Sequence, residues 1–333
     1  MLTGQNGILN RAETSKKNVD EAQEKESIEM AITTSKMENI YSQEITETNL
    51  KKALKNQFGN NVDFSINDNK DGSFTIKFNN TERMYYVDES GDIIENNNVI
   101  KINNADDLKS FRDDVNQGNT YEGKYVCLTN DINLDINEEW TPIGIYPKDS
   151  PSPDFEGNIP FMGIFDGCGH EINGIYINSS EKVKGLFAFI KNSTIKNLKI
   201  GRNCSINGYL GTASIVGYAY NKSIIYNCFN NSNVQGTQST GGIVGILLES
   251  KVENSGNTGS ISGNNNIGGI VGYVTSNCEI YKCYNVGEVY GKENYTGGIS
   301  GYTYINSKVE YSYNRGKANG ARNSWRNNRI YKR

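Results

Sequence analysis

The sequence predicts a mainly β protein in which a right-handed parallel β-helix follows a small α+β module. Three observations predict this fold class. Short apolar blocks recur at steps of 29, 28, 27 and 29 residues in the second half of the chain, a period typical of stacked solenoids. No helical pattern interrupts these repeats. The composition agrees, because 36% apolar residues can form a core and 35 glycines beside 5 prolines suit short strands and turns.

Aligning the repeats produces three apolar columns. The first contains Leu186, Ile215, Ile243, Ile270 and Ile299. The second contains Ile195, Ile225, Val252, Ile280 and Val309. The third contains Val234, Ile261, Val289 and Ala318. Three short strands per period predict a triangular coil, and equivalent residues of stacked strands, about 4.8 Å apart, are expected to form buried rows.

Glycine and asparagine columns accompany the apolar ones. Gly242, Gly269 and Gly298 precede three of the blocks, and we expect them to allow tight turns that exclude a Cβ atom. The asparagine column contains Asn230, Asn257, Asn285 and Asn314. It predicts a hydrogen-bonded ladder at a turn, where asparagine tolerates left-handed backbone. Contact with a ligand is the alternative for this column.

The predicted organisation has four parts. They are a helix-plus-sheet module at 1–95, a β-helix lead-in or N-terminal cap at 96–184, repeat coils at 185–320 and a basic tail at 321–333. The module is predicted to contain helices at 10–41 and 47–57 and antiparallel strands at 62–68, 73–79 and 83–89. Residues 67–72 begin like a calcium loop, but Phe78 occupies the position of the required glutamate, so a hairpin turn is predicted.

The repeat blocks resemble the GLUG repeats of bacterial surface proteins. They read "GLFAF", "GGIVGIL", "GGIVGYV" and "GGISGYT". Upstream, "YEGKYVCLTNDINLD" and "FMGIFDGCGHEINGIYI" resemble the lead-in of immunoglobulin-A-cleaving zinc peptidases. The resemblance covers residues 99–320 and implies a pectate-lyase-like β-helix. An inherited peptidase role is not expected, because the sequence has no H-E-x-x-H motif and its single histidine is His170.

A second resemblance covers residues 1–95. A long helix before a small antiparallel sheet is similar to the soluble part of a type IV pilin or pseudopilin, and "LTGQNGILNRAETSKK" resembles the stretch after the hydrophobic half-helix of Gram-positive pilin-like proteins. It implies a cell-surface or extracellular protein, anchored to a membrane or pilus, with other pilin subunits as partners. The family's hydrophobic segment is missing here, so we expect an in-frame apolar segment upstream of Met1.

Charge limits the expected partners. A net charge of −4 and a pI near 5.4 predict no nucleic-acid binding. No apolar run is long enough to span a bilayer, so membrane contact is expected only through the missing N-terminal segment. The chain after Glu310 is basic, with Arg315, Lys317, Arg322, Arg326, Arg329, Lys332 and Arg333. A solvated end is predicted, with contact to an anionic polymer as the alternative.

No catalytic residue is predicted. The candidates for acid–base chemistry are Asp131, Asp135, Asp154, Asp166 and His170, all in the lead-in. Each fits a turn, a strand end or a packing position, and no nucleophile motif accompanies them. Cys228 and Cys283 share one column two coils apart, too far for a disulfide, and are predicted to be inward-facing fillers. With one histidine, neither a metal nor a cofactor is predicted.

Two aromatic columns are the predicted binding residues. One contains Tyr218, Tyr273 and Tyr302, interrupted by Ile246; the other contains Phe229, Tyr284 and Tyr313, interrupted by Gly256. Facing outward, they would suit sugar rings; facing inward, they are core. The first hypothesis is a non-enzymatic surface protein whose β-helix binds a glycan or a host or cell-surface polymer. The alternatives are a polysaccharide lyase or hydrolase with an outer groove, and a purely structural spacer or filament subunit.

Overall fold

We describe the protein from a computed structural model. It describes residues 3–38, 45–59, 62–68, 73–79, 83–87, 91–95, 99–147, 149–321 and 324–325. Contacts divide the chain into two compact units, Met1–Val99 and Ile100–Arg333. The described residues include three helices, α1 (Thr3–Glu38), α2 (Glu47–Phe58) and α3 (Ala105–Asn116), and are otherwise mainly β. None of these helices has an apolar stretch long enough to cross a bilayer.

The first unit places α1 and α2 with an antiparallel sheet of four strands in chain order. The strands are β1 (Phe64–Asp68), β2 (Phe74–Phe78), β3 (Arg83–Val87) and β4 (Ile93–Glu95). Helix α1 begins earlier than predicted and includes Gly4 and Gly7, because a glycine within a helix costs only about 1 kcal/mol. Strand β4 was not predicted. The predicted hairpin turn at 69–72 lies outside the described residues, although Asp68 and Phe74 pair beside it.

The core of the first unit joins one face of α1 to α2 and the sheet. Ile28, Leu50 and Ile76 are fully buried in it. Glu24 crosses from α1 to β3, where it accepts hydrogen bonds from the Arg83 guanidinium at 2.8 Å and the Tyr85 hydroxyl at 2.9 Å. This ion pair is about one-seventh exposed on each side, so the arginine and tyrosine together compensate the buried carboxylate.

An amphipathic helix near the start of the second unit, α3, was not predicted. Asn104 caps α3 by accepting a hydrogen bond from the Asp107 backbone N–H at 3.0 Å. The apolar face of α3 buries Leu108, Phe111 and Val115, and Phe111 meets the Phe161 ring at 5.6 Å. The helix therefore covers part of the core at the first coils, where stacked strands have no preceding coil.

The rest of the second unit is a parallel β-solenoid, as predicted. It has about eight turns. Its entry strands are β5 (Val99–Ile102), β6 (Tyr125–Leu128), β7 (Ile132–Asn133), β8 (Ile164–Asp166), β9 (Glu171–Asn173) and β10 (Tyr176–Asn178). Two coils follow, with β11 (Phe187–Lys191), β12 (Thr194–Lys196), β13 (Lys199–Ile200), β14 (Ser205–Thr212), β15 (Val216–Tyr220), β16 (Ile224–Tyr226), β17 (Phe229–Asn230) and β18 (Asn233–Gly241).

The later coils divide the last long strand into two. They contain β19 (Val244–Leu248), β20 (Lys251–Glu253), β21 (Gly256–Asn257), β22 (Ile261–Gly263), β23 (Asn265–Gly268), β24 (Val271–Thr275), β25 (Glu279–Tyr281), β26 (Tyr284–Asn285), β27 (Val289–Gly291) and β28 (Thr296–Gly297). The last described strands are β29 (Ser300–Thr303), β30 (Lys308–Glu310), β31 (Tyr313–Asn314), β32 (Ala318–Gly320) and β33 (Ser324–Trp325).

These strands form four sheets. Sheet I contains β11, β15, β19, β24 and β29; sheet II contains β5, β6, β8, β12, β16, β20, β25 and β30. Sheet III contains β7, β9, β13, β17, β21, β26 and β31; sheet IV contains β10, β14, β18, β22, β23, β27, β28, β32 and β33. The prediction of three strands per coil was wrong, because the asparagine column assigned to a turn forms the two-residue strands of sheet III.

The corner between sheets II and III uses left-handed backbone. Its residues are Asn197, Asn227, Asn254, Lys282 and Tyr311, all with φ between 50° and 51°. Sequence reasoning assigned left-handed backbone to the ladder asparagines instead. The bend at Lys282 lies between Ile280 and Cys283, and it explains why these residues, three apart in sequence, both face the core.

Candidate functional site

Sheet I carries aromatic side chains on its outer face. In β24, Tyr273 is half-buried, while its neighbour Val274 is buried in the core. The register joins Tyr218 to Ile246, Ile246 to Tyr273, and Tyr273 to Tyr302 on successive coils. The first predicted aromatic column is therefore a real row along the outside of the solenoid.

The first member of that row is covered. Tyr218 is only 9% exposed, because the Tyr146 ring lies 5.4 Å from it and the Phe189 ring 5.7 Å from it. Burial also raises the pKa of the Tyr218 phenol. Tyr218 thus contributes to a small satellite core, and its predicted role as an open binding residue does not fit this position.

The far end of the row forms an open cluster, which we call the tyrosine patch: Tyr273, Tyr295, Tyr302 and Tyr304. The Tyr273 and Tyr302 rings stack 5.7 Å apart at 9°. Tyr295 lies 4.6 Å and Tyr304 6.0 Å from Tyr302, measured between ring centroids. Tyr304 is 54% exposed. Sequence reasoning missed Tyr295 and Tyr304, because they lie outside the repeating column.

The second aromatic column lies on sheet III. Tyr284 and Tyr313 stack 5.7 Å apart at 15°, and the Arg315 guanidinium lies 5.5 Å from the Tyr313 ring. Tyr284 also folds back over Gly256, where an added Cβ would lie 2.3 Å from the ring. Gly256 therefore provides space for this ring. Only Tyr313, 37% exposed, presents much of this column to solvent.

The four ladder asparagines lie inside the solenoid. Asn230 donates to Asn257 at 2.7 Å, Asn257 to Asn285 at 2.7 Å, and Asn285 to Asn314 at 2.8 Å. Each also donates to the carbonyl two residues further on, at 2.8 to 2.9 Å. Asn230, Asn257 and Asn285 use both amide protons, and all four side chains are buried, so the ladder has no free donor that a ligand could reach at these three residues.

The glycine column lies at the bends between sheet IV and sheet I, as predicted, and it also makes room for the ladder. A Cβ added at Gly242, Gly269 or Gly298 would lie 2.8, 2.5 or 2.3 Å from the amide carbon of Asn257, Asn285 or Asn314. None of the three glycines has a positive φ. The Cβ atom is therefore excluded by the asparagine row, and at Gly242 and Gly269 also by the backbone of the next coil.

A solved bacterial structure shares this fold. The chain is similar to the crystal structure of a "putative immunoglobulin A1 protease" from Bacteroides ovatus, with 22% identity, a TM-score of 0.50 and coverage of 67% of each chain. No known family profile matches the sequence, and no curated protein matches it. At this identity the likeness shows the fold alone, so any activity has to be argued from the side chains of this chain.

The lead-in carboxylates each belong to a local network. Asp131 accepts from the Glu171 backbone N–H at 3.0 Å and lies 3.2 Å from His170 Nδ1. Asp135 accepts from the backbone and side chain of Asn137, both at 2.9 Å. Asp154 accepts from Lys191 and from the Tyr220 hydroxyl, both at 2.8 Å.

These hydrogen bonds lower the carboxyl pKa values. The largest cause is the Glu171 N–H for Asp131, the Asn137 N–H for Asp135 and the Lys191 ammonium for Asp154. A general acid needs a raised pKa. These three side chains are therefore suited to closing turns and not to protonating a leaving group.

Asp166 is fully buried. It accepts hydrogen bonds from the Tyr125 hydroxyl, from the Cys168 backbone N–H at 2.7 Å and from the Asn197 amide at 3.2 Å. The Lys196 ammonium lies 3.6 Å away. This set compensates the buried charge and fixes the corner after β8.

Two cysteines, Cys228 and Cys283, are packing residues with protected thiols. Cys228 and Cys283 are fully buried, and burial raises the pKa of each thiol to about 12. Their backbone N–H groups donate to Ser255 and Ser312, which occupy the same column in the next coils. Among the described residues, no group of three or more His, Cys, Asp or Glu side chains is arranged to hold a metal ion.

A groove on the outer face of sheet IV was not predicted. It has a volume of about 530 Å³ and follows β10, β14, β18 and the residues around β22. We call it the amide groove. Its outward side chains include Asn178, Ser205, Asn207, Asn233, Gln235 and Ser262. Polar residues on both sides of Ile177, Ile206 and Val234 could have indicated the groove, but only the apolar residues were used in the prediction.

Proposed function

We propose that this chain is a non-enzymatic bacterial surface protein that binds a glycan, or another host or cell-surface polymer, through the tyrosine patch. The observation that carries the proposal is the stack of Tyr273 and Tyr302 on the outer face of sheet I, both partly exposed, with Tyr304 54% exposed beside it. Flat aromatic faces accept the apolar face of a sugar ring, and phenol hydroxyls bind at its edge. Tyr313 extends the same chemistry to sheet III.

The finer features of the proposal come from the family resemblances. We propose that the coils are right-handed GLUG repeats, consistent with the strong preference for right-handed parallel crossovers. We also propose that the first unit is a pilin-like module that attaches the solenoid to a membrane or pilus at the cell surface, where other pilin subunits are its partners. The long α1 packed with α2 and a small antiparallel sheet supports this module.

The test is a binding screen of the full chain on a broad panel of glycans and cell-surface polymers. We expect saturable binding that Tyr302→Ala weakens by on the order of tenfold, because one aromatic stacking platform is lost. Tyr86→Ala is the matched control, since Tyr86 is a partly exposed tyrosine on β3 of the first unit and belongs to neither the tyrosine patch nor sheet IV. Equal binding by wild type and Tyr302→Ala would overturn the proposal, and no binding at all would favour a spacer or filament subunit.

An activity assay on the same polymers distinguishes binding from the enzymatic alternative. Incubation with polysaccharides, followed by an assay for new reducing or unsaturated ends, is expected to show no product. Product formation that Asp131→Ala abolishes would replace the binding proposal with a lyase or hydrolase, because Asp131 is an exposed carboxylate of the lead-in. Asp166→Ala also breaks a buried network, so its loss of activity counts only if circular dichroism shows the variant folded.

A further inference from the structure

The amide groove presents polar side chains in register. Ile177, Ile206 and Val234 face the core and are at most 2% exposed, so the residues on either side of each face outward. Asn178, Asn207, Gln235 and Ser262 are successive Cα partners on β10, β14, β18 and β22. Their spacing along the row is about 4.8 Å, the separation of neighbouring strands.

Part of this row is held in place before any ligand arrives. The side-chain amide of Asn207 donates to the side-chain oxygen (Oδ1) of Asn178 at 2.9 Å. Asn233 accepts from the Ser260 backbone N–H at 3.0 Å. These bonds fix the amide orientations, and within the described residues no hydrogen bond engages the exposed Gln235 amide. The groove therefore offers oriented donors and acceptors at a low cost in side-chain ordering.

The lining of the groove is uncharged. Every residue around it is Asn, Gln, Ser, Tyr, Ile or Val. A chain of uronates or a nucleic acid needs cationic side chains to replace its counterions, and the lining has none. A neutral ligand rich in hydroxyl groups matches it, because each amide can donate to one hydroxyl and accept from another. Tyr290, the Cα partner of Ser262, is 51% exposed and adds a stacking surface beyond the groove.

We propose that the amide groove binds a neutral polysaccharide, extended along the axis of the solenoid. Hydroxyl groups of successive sugars bond to Asn207 and Gln235, and a ring stacks on Tyr290. The volume of about 530 Å³ lies in the usual range for ligand sites and accommodates a short oligosaccharide segment. This site goes beyond the proposed function, because it lies on a different sheet and does not depend on the tyrosine patch.

The test is affinity electrophoresis of the full chain in gels that contain a soluble neutral β-glucan, a galactomannan, a dextran or polygalacturonate. We expect retardation by at least one neutral polymer and none by polygalacturonate. Asn207→Ala combined with Gln235→Ala removes two polar contacts and is expected to weaken retardation by on the order of tenfold. Ser205→Trp, which fills the groove from an exposed position, is expected to abolish it.

The matched control combines Asn56→Ala and Gln57→Ala, the same two changes on the exposed surface of α2. Circular dichroism checks that each variant is folded. Equal retardation of wild type and both groove variants, retardation by polygalacturonate alone, or no retardation by any neutral polymer would overturn the proposal. Tyr302→Ala in the same gels separates the two proposals. If Tyr302→Ala loses retardation while the groove variants keep it, only the tyrosine patch binds. If the groove variants lose retardation while Tyr302→Ala keeps it, only the amide groove binds.

Discussion

Each of Asn230, Asn257 and Asn285 uses both of its amide protons inside the solenoid. One proton goes to the next asparagine and the other to the carbonyl two residues ahead. Asn257 also accepts from the Gly259 backbone N–H at 3.2 Å. A buried amide left without partners costs about 1–3 kcal/mol, so the ladder is a condition for stacking the coils and is separate from ligand binding.

Replacing Asn257 by alanine tests this view of the ladder. The change removes the acceptor of the Asn230 amide and the donor to Asn285. We expect the free energy of unfolding to fall by about 2–3 kcal/mol. Urea denaturation measures it, with Asn319→Ala, an exposed position in β32, as a control expected within about 0.5 kcal/mol of wild type. Equal loss in both variants would contradict the ladder account.

The buried thiols predict a pattern of chemical reactivity. Because the pKa of Cys228 and of Cys283 is raised to about 12, both stay protonated in the native protein at about pH 8, and the thiolate is the reactive form. We expect iodoacetamide to leave both unmodified until urea unfolds the chain, as read by peptide mass spectrometry. The raised pKa also means that their contribution to stability is present below the unfolded pKa and falls as pH rises towards 12. Rapid alkylation of Cys228 or Cys283 in the folded chain would show that their thiols are accessible to solvent.

At the scale of elements, the coils depend on contacts between neighbours. Gly269 lies against the side chain of Asn285 and the backbone of Gly298, so residues far apart in sequence restrict each other. Ser214 occupies the same column one coil before Gly242, and there its hydroxyl donates to the Gly242 carbonyl at 2.5 Å. The earlier coil thus accepts a Cβ where the later ones exclude it.

Gly269→Ala tests this packing. Its Cβ would lie 2.2 Å from the Gly298 carbonyl oxygen and 2.5 Å from the Asn285 amide carbon, and overpacking of this kind costs about 1–3 kcal/mol. We expect a lower midpoint of urea unfolding. Asn319→Ala, an exposed change in β32, is the control. A Gly269→Ala protein as stable as wild type would show that the column has room for a side chain.

The elements also show how far sequence reasoning reached. The rows of Ile243 and Ile270 were predictable, because burial within one coil imposes the period on the sequence. Helix α3 was predictable from Asn104, Leu108 and Phe111 but was not read. The role of Gly269 was not predictable from one coil, because the atoms that exclude its side chain belong to the next one.

The residues of the tyrosine patch were likewise predictable only in part. The pairing of Tyr273 with Tyr302 follows from the register that the repeat reveals. The side that this column faces could not be inferred, because β24 does not alternate simply: Val271 and Val274 are both buried. The covering of Tyr218 by Tyr146 could not be inferred, because Tyr146 comes from the irregular lead-in. Tyr304 joined the patch for a related reason, since it follows β29 outside the repeating column.

At the scale of the molecule, the two units have separate cores. The core of the first contains Ile28, Leu54 and Ile76, and that of the second contains Ile243, Ile270 and Ile280. Charges on sheet II pair across coils, with Lys308 2.9 Å from Glu279 and Lys251 3.6 Å from Glu279. Such exposed pairs add little stability and are screened by salt, so the apolar rows carry the fold.

Separate cores predict that the second unit folds without the first. We expect a fragment of residues 100–333 to show the β-type circular dichroism and the cooperative thermal transition expected of a folded domain. The full chain measured beside it is the control. A fragment that lacks a transition while the full chain retains one would show that the solenoid needs the first unit.

The tyrosine patch is the proposed saccharide site on the outer face of the solenoid. Titration calorimetry with the strongest glycan from the screen tests it, using wild type, a Tyr273→Ala and Tyr302→Ala double variant, and the control Tyr86→Ala. We expect a dissociation constant raised by on the order of a hundredfold in the double variant and unchanged in Tyr86→Ala, with all three proteins folded. An unchanged dissociation constant in the folded double variant would contradict the claim.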